Sequence, residues 1–184
     1  MVALENGNYN GKIEDTDHIE FDPIFWKSAT FIQQNLPNFN EFEKAYPKTN
    51  GGVMASKDVF ELISGDVLNL ANLHGYTNAC AARVSRALNY SGVIIPNITG
   101  KTFKGGDGKF YFLGARKLFE WMKKTFDYPD ISLNQLQAKS DGSGFLNLAL
   151  GKKGIYLMIP NYPSKFGASG HADIFNGASF NKNG

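Results

Sequence analysis

The chain has 184 residues, 42% hydrophobic and 20% charged, with a formal net charge of +2. That size and balance suit one domain, 1–184, with a core of its own, and exclude a disordered chain. A small, scattered positive charge excludes nucleic acid and a membrane surface as partners, and no apolar run is long enough to span a bilayer. A single cysteine excludes an intramolecular disulfide, so the fold does not depend on an oxidising compartment.

Residues 1–20 are polar and rich in glycine and asparagine, which predicts a flexible leader with a solvated His18. The N-terminus lacks the basic start and apolar block of a Sec signal, so export is expected by another route. Asp22-Pro23 opens a predicted helix to Asn35, with Phe25, Ala29, Ile32 and Leu36 on one face and Pro37 ending it. A short helix is predicted over Asn40–Ala45, then a turn at Gly51-Gly52. Val59–Leu73 reads as one helix or two short ones, interrupted at Gly65.

Asn78 is placed to cap the next helix, in which Cys80, Val84, Ala87 and Leu88 make one stripe of a 3.6-residue period. Gly92 stops it, and Val93–Pro96 is extended. Thr99–Gly108 carries four glycines and reads as a flexible loop or lid; its spacing does not fit a phosphate loop. Lys109–Phe112 is a short extended piece. Ala115–Phe126 is a helix with Leu118, Trp121, Met122 and Phe126 inward and Arg116 and Lys117 facing water. After a connector at Asp130–Leu136 and a turn at Asp141–Gly144, Phe145–Leu150 is a short apolar element. Two strands follow, Gly154–Ile159 and His171–Phe175. Asn176-Gly177 suits a hairpin turn, with Ala178–Asn181 pairing back. Helices first and strands last predict an α+β fold, with a cysteine at a helix N-terminus packed on a C-terminal antiparallel sheet.

A thiol in the first turn of a helix gains thiolate character from the helix dipole and is a nucleophile once a base stands near. His171, after Gly170, is the strand histidine that would serve. Gly170 gives a neighbouring backbone or a substrate close access. The group that orients the imidazole is open. Asp173 shares the face of His171, but lies roughly 6–7 Å along the strand. A tight turn at 176–177 sets Lys182, which cannot accept a hydrogen bond, opposite His171. A one-residue bulge would bring Asn181 or Asn183 there instead. The backbone N–H of Cys80 is a candidate oxyanion donor, and Arg83, about a turn on, is a candidate partner for a substrate carboxylate.

Phe42–Pro47, Asn78–Gly92, Tyr111–Trp121, Gly154–Met158 and Gly170–Gly177 together resemble the type VI secretion amidase effectors of family 4, papain-like cysteine amidases of the NlpC/P60 type. The resemblance implies a peptidoglycan amidase that cuts the γ-D-glutamyl–diaminopimelate bond of the stem peptide, without a cofactor. It implies delivery by the type VI apparatus into a rival's periplasm and neutralisation by a cognate immunity protein. It also implies Cys80 as nucleophile and His171 as base. The family's third member is an acid on the strand after the Asn-Gly turn. That place falls near Lys182 here, so the sequence departs from the pattern, and it ends at Gly184, early for the family.

Two rival readings have their own signatures. A metallopeptidase on the same substrate would use His171 and Asp173 with His74 or Cys80 as a further ligand. A non-catalytic cell-wall-binding module of the same fold would bind without releasing product.

Overall fold

The structure is a computed structural model, which describes residues 21–50, 52–138 and 143–177. His18, Asn181, Lys182, Asn183 and the partner strand at 178–181 lie outside the described residues.

Helix α1 spans Pro23–Ser28, seven residues shorter than its periodicity predicts. Asp22 Oδ1 caps it, accepting from the amides of Ile24 and Phe25 at 3.0 Å each. The apolar spacing continues past Ser28, but the backbone is wanted elsewhere. The Gln34 amide donates to the Thr125 carbonyl at 3.0 Å, and the Gln34 side chain clamps Ile94 through both its carbonyl and its amide. A helix through 35 would withdraw that amide into its own ladder.

Helix α2 (Phe39–Ala45), capped by Asn38, leads into Tyr46-Pro47 and the two-residue strands β1 (Lys48–Thr49) and β2 (Gly52–Val53). The Val59–Leu73 stretch is two helices, α3 (Ser56–Ile63) and α4 (Gly65–His74), broken where Ser64 and Gly65 both take positive φ. Helix α5 (Cys80–Tyr90) follows. It closes as a Schellman turn: Gly92 has φ +96° and the Val93 amide donates to the Leu88 carbonyl at 3.1 Å.

The glycine-rich stretch is not a lid. It forms a hairpin, β3 (Phe103–Lys104) with β4 (Phe110–Tyr111), whose loop is pinned by Asp107. That carboxylate accepts from the hydroxyls of Tyr111 at 2.6 Å and Tyr90 at 2.9 Å and from the Lys109 amide at 3.0 Å. Behind it, a Cβ on Gly65 would lie 2.6 Å from the Gly106 nitrogen, so the α3–α4 break and the hairpin touch backbone to backbone.

Helix α6 spans Ala115–Phe126, as its pattern predicts. One expectation fails on it. Lys117 is 1% exposed, covered with the apolar face, while Arg116 lies over the Phe21 ring at 3.8 Å. Short helices α7 (Gln135–Ala138) and α8 (Ser143–Ala149) follow, so Ser143 and Gly144 are helical where a turn was predicted. Strand β5 (Gly154–Met158), the one-turn helix α9 (Pro163–Phe166) and strand β6 (His171–Phe175) complete the described chain.

Strands β5 and β6 are antiparallel, with Gly154 opposite Phe175, Tyr156 opposite Asp173 and Met158 opposite His171. Alternation therefore sets His171, Asp173, Phe175, Tyr156 and Met158 on one face. Phe145 of α8 packs there against Tyr156 and Phe175. Ala172 and Ile174 join the main core with Trp26, Phe42, Tyr46, Cys80, Val84, Leu88, Leu118 and Trp121. Each fully buried large side chain of that set contributes about 1.5–3 kcal/mol. The result is a mixed α+β fold in which the helix opened by Cys80 packs on the strand opened by His171.

Candidate active site

Cys80 is the first residue of α5 and is 4% exposed. Ala79 occupies the N-cap position without a side-chain cap, and Asn78, one residue further out than expected of a cap, supplies the acceptor: its Oδ1 takes the Cys80 amide at 3.0 Å. The amide expected to serve as an oxyanion donor is therefore engaged by Asn78 in this structure. An asparagine two residues before the helix satisfies a first-turn N–H that the helix itself cannot.

Tyr46, Asp173 and His171 form a chain of polar groups that reaches this end of α5 through the Tyr46 phenol. Tyr46, just beyond α2, donates its hydroxyl to Asp173 Oδ1 at 2.8 Å. The same oxygen accepts the Ile174 amide at 2.7 Å. Asp173 is 1% exposed, and its Oδ2 has no hydrogen-bond partner among the described residues. Burial pushes the Tyr46 phenol far above its ordinary value, and the Asp173 charge and hydrogen bond push it further. Arg83 opposes that shift and charge on Cys80 adds to it, so both lie within electrostatic range of the phenol.

His171 opens β6, with the Tyr156 ring 6.4 Å away centroid to centroid. Burial lowers its pKa from the ordinary value; the Asp173 carboxylate works against that, favouring the charged ring, and Arg83 works with it. Cys80, Arg83, Tyr46, Asp173 and His171 thus make one connected polar cluster, reaching from the main core to the face that holds Tyr156. Sequence reading found four of the five. It missed Tyr46, whose partner is 127 residues away.

Arg83 is 8% exposed, and its guanidinium is engaged inward. Nε and Nη2 donate to the Met54 carbonyl at 3.2 and 2.8 Å, and Nη2 also reaches Ser56 Oγ at 3.3 Å. Gly170 is buried, and a Cβ there would lie 2.5 Å from the Met158 carbonyl oxygen. The close access it gives is to the neighbouring strand.

His74, offered as a metal ligand, ends α4 exposed and stacked on Tyr76 at 5.4 Å. Among the described residues no three His, Cys, Asp or Glu side chains are grouped to hold a metal ion. Two grooves, of about 330 and about 390 Å³, open elsewhere on the surface, and neither is lined by Cys80 or His171. Chemistry, not volume, singles out the α5–β6 cluster.

Residues 76–183 match the family described as type VI secretion system (T6SS), amidase effector protein 4, Tae4. No curated protein matches the chain. Among solved structures, Tae4 of Salmonella typhimurium in its effector–immunity system with Tai4 is 28% identical, with TM-score 0.64, over 79% of this chain and 85% of that one. The same effector bound to Tai4 of Enterobacter cloacae gives TM-score 0.63 at 28% identity, over 79% and 84%. Tae4 of Enterobacter cloacae shares the fold at 23% identity, with TM-score 0.65 over 81% and 86%.

Proposed function

The chain belongs to the type VI secretion amidase effector 4 family, and on that premise we propose that it is a cysteine amidase of the papain-like NlpC/P60 type, acting on peptidoglycan as one domain. The observation that carries the reading is the packing of the helix opened by Cys80 on the strand opened by His171. The substrate bond is the γ-D-glutamyl–diaminopimelate amide of the stem peptide. The Cys80 thiol gives its proton to His171, and the thiolate attacks the amide carbonyl. His171 returns the proton to the leaving amine, and water then releases the acyl-enzyme with His171 as base. The helix dipole and the nearby Arg83 charge both favour the thiolate. Arg83 serves mainly as that charge, and a stem-peptide carboxylate would have to share its guanidinium with Met54 and Ser56. Asp173 supports the imidazolium. The lowered His171 pKa suits a base that is neutral before the proton transfer.

In this reading the protein is made in the cytoplasm, leaves by the type VI apparatus and acts in the recipient's periplasm. Among the described residues no helix is long and apolar enough to cross a membrane. A cognate immunity protein binds it in the producing cell, as Tai4 binds the Salmonella effector. The test is digestion of purified meso-diaminopimelate peptidoglycan with mass spectrometry of the products. Fragments ending at the D-glutamate–diaminopimelate junction, absent with Cys80→Ala and unchanged by a chelator, are expected. Binding without products from folded wild type would favour the binding module, and products that survive Cys80→Ala but not the chelator would favour the metallopeptidase.

A further inference from the structure

We infer that Tyr46 is a positioning residue for the Cys80–His171 pair, acting through Asp173: its hydroxyl anchors the buried carboxylate between the end of α2 and β6, and the anchored carboxylate holds the charge of the imidazole. The inference rests on the cysteine–histidine reading above.

The geometry has three parts. Asp173 is nearly sealed from solvent, so the protein alone must hold its carboxylate. Among the described residues its donors are the Tyr46 hydroxyl and the Ile174 amide, and both fall on Oδ1. Oδ2 is left as a buried acceptor with no hydrogen bond among the described residues. A buried carboxylate oxygen without a donor is costly and persists when the surrounding structure fixes it in place. The Ile174 amide belongs to the same strand and cannot stop the side chain from swinging. Tyr46 comes from a different element and fixes the outer end. Pro47 follows it directly and restricts its backbone to the extended region in which the structure holds it, ψ 129°. The fixed charge then faces the imidazole two residues away on the same face of β6.

The groups that face His171 are Asp173 on its own strand, Tyr156 across on β5, and Arg83 on α5. Tyr46 and Cys80 reach it through the Asp173 end of the cluster. Of these, Asp173 alone stabilises the imidazolium, so an unanchored Asp173 leaves burial and Arg83 unopposed.

The test uses Tyr46→Phe and Asp173→Asn, with two readouts. The first is the pH dependence of peptidoglycan cleavage, split into kcat and KM. The second is the pH dependence of iodoacetamide alkylation of Cys80, which is clean because the chain has one cysteine. Tyr46→Phe is expected to lower kcat by about tenfold to a hundredfold at unchanged KM, the scale at which lost second-layer hydrogen bonds act. The acid limb of the cleavage profile, set by the neutral His171 base, should move to lower pH, and thiolate formation, read by alkylation, should move to higher pH as the imidazolium that favours it is lost. Asp173→Asn should do the same, and the double variant should be no worse than Asp173→Asn alone, because both act on one path.

A folded Tyr46→Phe with wild-type kcat and profiles overturns the inference, as do losses that multiply in the double variant. Should either variant not fold, wild type decides by ¹³C NMR. The Tyr46 Cζ and Asp173 Cγ shifts should titrate with the His171 midpoint, and a Tyr46 shift that stays flat through it sinks the proposal. Activity that survives Cys80→Ala would instead sink the underlying reading and leave the Tyr46–Asp173–His171 linkage to the NMR result.

Discussion

Asp107 and Asp173 each accept a hydrogen bond from a tyrosine, and they do so under opposite conditions. Asp107 lies exposed at the tip of the β3–β4 hairpin and divides its donors over both oxygens: Tyr111 and Tyr90 on Oδ2, the Lys109 amide on Oδ1. Burial works to raise its pKa, yet the three hydrogen bonds and the Lys109 charge leave it lowered. Asp173 is sealed from water, takes both donors on one oxygen, and stands beside a histidine. The first carboxylate is a staple, with every acceptor matched. The second carries an acceptor with no hydrogen bond among the described residues into a buried polar cluster, an arrangement costly for stability and kept where a site uses it.

The comparison can be broken most forcefully at the cluster. Cys80→Ala and His171→Ala are each expected to reduce peptidoglycan cleavage by at least about a thousandfold, as loss of a nucleophile or its base does. Far-UV circular dichroism should be unchanged. A His171→Ala variant with near wild-type turnover would reduce Asp173 to an unexplained buried charge.

Gly170→Ala comes next. Its Cβ would press on the Met158 carbonyl at 2.5 Å, which is backbone and cannot step aside. The start of β6 must shift, at about 1–3 kcal/mol of stability by denaturant unfolding, and kcat should fall with it. Full activity in a destabilised Gly170→Ala would show that the site tolerates movement of the strand.

Tyr111→Phe probes the staple. It removes a 2.6 Å bond to a carboxylate that water can reach, so the expected loss is about 0.5–1.5 kcal/mol with cleavage and its pH profile intact. A shifted pH profile there would erase the distinction between the two carboxylates.

The smallest effect is in the pH dependence of stability. The folded-state pKa of His171 lies below its ordinary value of 6.5, so the unfolded chain binds its proton first on acidification. The contribution is fully present above about pH 6.5 and is lost as pH falls towards the folded-state value. His171→Gln should flatten that segment of the stability curve, measured by urea midpoints, and an unchanged slope would place the burden on another group.

Much of this was legible in the chain because it is local. Asn78 before a 3.6-residue stripe marks the start of α5, Gly92 marks its end, and the strand at 171–175 follows from its composition and flanking glycine. Cys80, His171 and Asp173 could be nominated from those elements alone. Tyr46 could not, since its role depends on a partner 127 residues away and no period records that distance. The same limit explains α1. Its stripe runs on to Leu36, but Gln33 and Gln34 are claimed by Lys124, Thr125 and Ile94, and tertiary hydrogen bonds override local propensity. Lys117 shows a third case. A periodic pattern identifies the apolar face of α6 but not how far neighbouring elements wrap beyond it.

The bare backbone contact between Gly65 and Gly105–Gly106 has a consequence for how the molecule breathes. The Gly106 amide donates to the Ile63 carbonyl at 2.9 Å, beside the point where the Gly65 and Gly106 backbones meet. Neither the end of α3 nor the hairpin can separate without breaking that bond and exposing the other. Amide hydrogen exchange should therefore find Gly106 and the last turn of α3 opening as one cooperative unit, with a common free energy, although 42 residues of chain lie between Ile63 and Gly106.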